Sequence, residues 1–169
     1  MNIGILALAR STFDIPFAEQ KLKASLEALK QTKYNLFGTC KLLLDSEETL
    51  NEIEILKSYP LDIILILQIT FTDAMIAVTI SNEFRIPISI WAMPEPRLGG
   101  RLRLNAFCGL NLASHALGLN LKEFSWLYEN PENLNIKKLD GLFYKTQTKV
   151  SLEPILQSYP PSPRSKDIT

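Results

Sequence analysis

Histidine is nearly absent from these 169 residues. His115 stands alone, and Cys40 and Cys108 are the two cysteines. A single imidazole rules out a multi-histidine metal site, although a purely carboxylate site stays open. Two cysteines are too few for a disulfide scaffold, and their spacing matches no zinc motif, so both read as reduced thiols. An excess of charge is missing too. The 18 basic and 18 acidic residues cancel, and non-specific nucleic-acid binding needs a surplus of Lys and Arg to displace counterions. No apolar run approaches the ~18 residues of a membrane helix. The opening "MNIGILALARSTFD" has no basic start, and its short apolar run ends at Arg10 and Asp14, unlike a secretory signal. These absences predict a cytoplasmic protein with no nucleic-acid and no membrane partner. There is also no dinucleotide glycine fingerprint and no Gly-Lys-Ser/Thr phosphate loop, which counts against a nucleotide or flavin binder.

What the chain does have is alternation. Short apolar runs at 3–9 ("IGILALA"), 34–38 ("YNLFG"), 61–69 ("LDIILILQI"), 86–93 ("IPISIWAM") and 124–128 ("FSWLY") are spaced by segments of helical period. Continuous aliphatic runs suit strands buried on both faces. Residues 17–30 put Ala18, Leu22, Leu26 and Leu29 on one face, behind Asp14 as a cap. Asp45 and Glu48 stand at capping-box spacing before a second helix. Thr72 is placed to cap a third over 73–84. A fourth around 105–117 is expected to end at Gly118 as its C′ residue. Residues from 130 onward form a weak final helix. Strand and helix alternating in this way predict an α/β fold, a flavodoxin-like doubly wound sheet of five parallel strands in the order 2-1-3-4-5. The domain spans 1–147, and 148–169, rich in proline, reads as a tail or truncated linker.

Ligands of open parallel sheets bind beyond the carboxyl ends of the strands, where the strand order reverses. Here that point lies between the first and third strands. Arg10-Ser11-Thr12 leave the first. Gln68 ends the third, followed by Thr70-Phe71-Thr72-Asp73. Trp91 ends the fourth and leads into "PEPRLGGRLR", whose Arg97, Arg101 and Arg103 are half of the six arginines. Amides and carboxylates bond hydroxyls, aromatic faces cover sugar C–H surfaces, and arginine holds anions bidentately. Arg10, Gln68, Phe71, Trp91, Glu95, Arg97 and Arg101 are therefore the candidate substrate-binding residues, for a sugar or an anionic sugar derivative. Plainer readings stand beside them. Gly99-Gly100 either cradles phosphate before a helix or is an ordinary turn. Arg101 and Arg103 are either solvated or paired with Glu95. Trp91 suits the core as well as a ligand. Cys108 has no evident base, and His115 has no carboxylate at helical spacing.

A strand ending "IWAM", then Glu95, Pro96, Arg97, Gly99 and Gly100, then the helix "NAFCGLNLASHALG", resembles the N-terminal domain of L-fucose isomerase-like proteins. The start "GILALARSTFD" resembles them too, and the likeness covers about residues 1–128. The resemblance implies aldose–ketose isomerisation by the complete protein, using a divalent metal, usually manganese, whose Glu, Asp and His ligands come from later domains. No cofactor is then expected in this chain itself. The resemblance also implies that an arginine after the first strand and an aromatic after the third, here Arg10 and Phe71, reach the sugar site of a neighbouring subunit. Trp would be expected where Phe71 stands. The expected partners are other copies of the chain or a missing catalytic domain, and the chain alone is expected to be inactive. The alternative is a non-catalytic flavodoxin-like module that binds an anion, a sugar or a protein.

Overall fold

The computed structural model describes residues 1–96 and 98–147. Arg97 and the stretch 148–169, expected as a tail, lie outside the described residues. The strands are β1 (Asn2–Leu8), β2 (Asn35–Phe37), β3 (Leu42–Leu43), β4 (Ile63–Gln68), β5 (Ile88–Ala92) and β6 (Phe124–Tyr128). The helices are α1 (Ile15–Lys30), α2 (Ser46–Leu56), α3 (Ala74–Glu83), α4 (Ala106–Leu119) and α5 (Ile136–Gln147). All strand pairs are parallel.

The sheet has six strands rather than the expected five. Its order is β2-β1-β4-β5-β6, with β3 pairing to β1 off that path. The expected order 2-1-3-4-5 is thus corrected to 2-1-4-5-6. The cause is the two-residue β3, in which Leu42 and Leu43 lie beside Ala7 and Leu8. Two residues show no periodicity, so the sequence hides them.

Side-chain alternation explains why both faces are covered. Leu65, Ser89 and Ser125 lie in one register row. Ser89 and Ser125 share a hydrogen bond of 3.0 Å, and Ser125 Oγ donates to Leu142 O of α5 at 2.8 Å. Gln68 is three residues past Leu65 and points the other way, against Gly109 of α4. α1 lies on the α5 side, where Tyr34, just past its end, meets Phe143 edge-on at 5.4 Å. α2, α3 and α4 line up on the opposite face. The middle of β4, Ile63 to Leu67, is fully buried, and each such aliphatic side chain contributes about 1.5–3 kcal/mol.

The caps fix where chains leave the sheet. Asp14 Oδ1 accepts from Phe17 N–H at 3.1 Å and Asp45 Oδ1 from Glu48 N–H at 2.8 Å. α3 is capped by Asp73, which accepts from Met75 N–H at 2.9 Å, and not by Thr72. α4 runs past Gly118. Lys122 N–H donates to Leu117 O and Leu121 N–H to Gly118 O, both at 3.0 Å. Leu121, with φ of 52°, therefore occupies the left-handed position expected of the glycine.

Candidate functional site

β1, β4 and β5 are adjacent and parallel, so their carboxyl ends open onto one rim. Contacts join the exits. Arg10 N–H donates to Thr70 Oγ1 at 2.9 Å, and its guanidinium lies 5.8 Å from the Phe71 ring centre. Phe71 meets Phe13 at 6.4 Å, and its N–H donates to Leu104 O at 2.8 Å. Arg101 Nη2 donates to Thr12 O at 3.0 Å. The rim thus runs from Arg10 over Phe71 and Phe13 to Arg101. A depression of about 330 Å3, lined by Thr12 to Asp14 and Arg101 to Arg103, lies at its α1 end. Arg10 also borders a smaller hollow of about 60 Å3 on the α2 and α3 side, beside Asp45, Thr72 and Asp73.

Arg103 is neutralised by Asp14, its Nε donating to Oδ2 at 2.8 Å, and it lies 3.8 Å over the Phe17 ring. Arg10 and Arg101 are different. Both are exposed, and among the described residues neither has a carboxylate partner. Arg10 thus stands beside Phe71, and Arg101 is held at Thr12, next to Phe13, with no ion pair to either cation among the described residues. That arrangement suits a ligand with an anionic group and a C–H face.

Glu95 does not reach the rim as a free carboxylate. Its Oε2 accepts from the N–H groups of Arg103 and Leu104 at 2.5 and 2.9 Å, and its Oε1 from Asn105 N–H at 2.7 Å. These donors immediately precede α4, where an external anion would sit. The chain's own carboxylate fills that place, and of the two readings offered for Arg101 and Arg103 the ion pair with Glu95 does not form among the described residues. Gly99 and Gly100 have φ of 77° and 74°, and a Cβ at either would meet nothing within 4 Å. Both therefore stand in an open turn, in the left-handed backbone region that glycine tolerates.

Gln68 and Trp91 support the rim from beneath. Gln68 is buried, and its Nε2 donates to Thr70 O at 2.7 Å and Thr72 Oγ1 at 2.8 Å. It braces the loop that carries Phe71. Trp91 is fully buried, with Nε1 donating to Glu129 O at 2.9 Å. Neither meets solvent, so both depart from the ligand-contacting role considered for them. Leu98 and Leu102, in the loop between β5 and α4, are by contrast well exposed.

Sequence reasoning placed Thr70 at the strand exit and Asp14 at a cap but gave neither a part in the site. Thr70 seats the Arg10 backbone, and Asp14 ties the α1 start to the arginine loop. Cys40 is half-buried, and desolvation, with Glu52 nearby, pushes its thiol up. Among the described residues no three of His, Cys, Asp and Glu gather as metal ligands. Nor is any helix among them long and apolar enough to cross a membrane.

The sequence is similar to those of known proteins. Residues 4–141 match the family described as fucose/sulfoquinovose isomerase, N-terminal domain. A sulfoquinovose isomerase of Priestia aryabhattai is 32% identical over 125 residues, 74% of this chain and 28% of the relative. That of Alkalicoccus urumqiensis is 29% identical over 150 residues, 89% of this chain and 33% of the relative. That of Clostridium sp. (strain MSTE9) is 28% identical over 133 residues, 78% of this chain and 29% of the relative. The chain thus spans about a third or less of the length of these relatives. Matched over most of its described length, the chain belongs to the fucose/sulfoquinovose isomerase N-terminal domain family.

Proposed function

We propose that this domain forms one wall of the sugar site of an aldose–ketose isomerase, completed by a neighbouring subunit or by a catalytic domain elsewhere. The proposed substrate class is a sulfonated sugar, as the names of the relatives suggest. The supporting observation is the rim, where Arg10 beside Phe71 and Arg101 at Thr12, next to Phe13, have no carboxylate partner among the described residues. A sulfonate is a permanent anion whose oxygens accept two parallel guanidinium bonds. The sugar's C–H face then lies on the aromatic surface. Isomerisation chemistry, with its divalent metal, belongs to residues outside this stretch, in a cytoplasmic setting.

Binding tests the reading without requiring turnover. Sulfoquinovose should raise the melting temperature of the chain where glucose does not. A ligand at ~100 times its dissociation constant stabilises by about 2.7 kcal/mol. Arg10→Ala and Arg101→Ala should each reduce the shift. An equal shift with glucose, or shifts unchanged in both variants, would overturn the sulfonated-sugar reading. The chain alone should show no isomerase turnover with manganese. Chelator-sensitive turnover that scales with protein would show that the chemistry resides here after all.

A further inference from the structure

At the amino-terminal pole of the sheet, opposite the rim, a groove of about 570 Å3 lies between the end of α3 and the starts of β5 and β6. Its floor includes Phe84, Ile86 and Ile88. Arg85, Lys122 and Glu123 stand on its walls, and among the described residues none of them has an ion-pair partner. Leu121 lies at its lip, 91% exposed and in the left-handed conformation that closes α4. Glycine would adopt that conformation without the steric cost of a β-carbon. Leucine bears that cost and also holds an apolar side chain in water. A strained, exposed leucine kept beside a groove of mixed apolar and charged lining points to a contact made outside the free domain.

We propose that this pole is a self-complementary interface between two copies of the chain. Each Leu121 enters the groove of the other copy, and each Glu123 meets Arg85 and Lys122 across the two-fold axis. An isologous contact requires that one patch carry both halves of every interaction. This patch carries a knob beside a hole, and charges of both signs that lack an ion pair among the described residues, Lys122 Nζ donating only to Ser81 O at 3.5 Å. The interface leaves the Arg10 rim free, so it goes beyond the sugar-binding reading and stands or falls separately.

The test is sedimentation velocity with light scattering on the 169-residue chain, over a micromolar dilution series. A concentration-dependent dimer is expected. Glu123→Arg, and separately the double change Arg85→Glu with Lys122→Glu, should each weaken association at least about tenfold. Mixing the two variants should restore a heterodimer, because each then offers the charge the other lacks. Leu121→Gly should lose association while its melting temperature at monomer concentrations rises by a few degrees. That opposition separates an interface residue from a structural one, and it holds even if a charge variant fails to fold. A wild-type monomer throughout the series would overturn the proposal. So would association that survives Leu121→Gly, or a lowered melting temperature in that variant.

Discussion

Arg103 and Asp14, 89 residues apart, are joined twice. Arg103 Nε donates to Asp14 Oδ2 at 2.8 Å, and Asp14 N–H donates to Arg103 O at 3.1 Å. The same carboxylate caps α1. The bond from Arg103, then that from Phe17 N–H, hold the Asp14 carboxyl below its ordinary 3.8. A depressed acid stabilises the fold above its unfolded pKa, and the gain is lost as pH falls through the folded value. The wild type should therefore exceed Asp14→Asn by a steady margin above about pH 5, and the margin should shrink below about pH 4. Urea midpoints at a series of pH values check this, and parallel curves down to about pH 3 would contradict it.

Glu95 holds three consecutive backbone N–H groups, so its removal should leave donors unmet at the start of α4. Glu95→Gln puts an amide NH2 against those donors and should destabilise by about 2 kcal/mol. Amide exchange at 103–105 should quicken in the variant. Unchanged exchange there would show that the loop stands without the clamp.

Gly109→Ala sets two effects against each other. Alanine in place of glycine favours a helix by about 1 kcal/mol. A Cβ here would lie 2.8 Å from Gln68 Nε2 and 3.2 Å from Phe71 Cα. Gln68 is held by two hydrogen bonds and Phe71 Cα is backbone, so neither yields easily. Overpacking should win, for a net loss of about 1–2 kcal/mol. Chemical unfolding gives the sign, and a stabilised variant would show that the β4–α3 loop moves freely.

Tyr34 supplies an alkaline counterpart. Burial, then its bond to Asp140 at 2.7 Å, push the phenol from 10.0 up to about 12. A raised pKa means stability complete below the unfolded value and lost as pH climbs toward the folded one. Wild type should lose stability relative to Tyr34→Phe from about pH 10 upward. Absorbance titration should show one tyrosine ionising late, and its absence from the Tyr34→Phe trace identifies it.

The long strands were legible because burial on both faces leaves an unbroken aliphatic run, as in β1 and β4. β3 was not, since Leu42 and Leu43 become a strand only by lying beside β1. The end of α4 was misplaced because Gly118 looked like the stop, while the left-handed position went to Leu121. Around the rim, side-chain types were readable but their partners were not. Gln68 in an aliphatic run required hydrogen bonds, and it makes them within its own loop. Glu95 among arginines suggested an ion pair, yet its acceptor atoms face backbone donors that residue type does not encode.

The two tryptophans occupy opposite environments. Trp91 is sealed in the sheet, while Trp126 on the edge strand β6 is 60% exposed. Their fluorescence should separate accordingly. A soluble quencher such as iodide reaches the edge indole and spares the inner one, whose emission lies further to the blue. The protein therefore carries two optical reporters of its own, one for core packing under the rim and one for whatever comes to rest along β6.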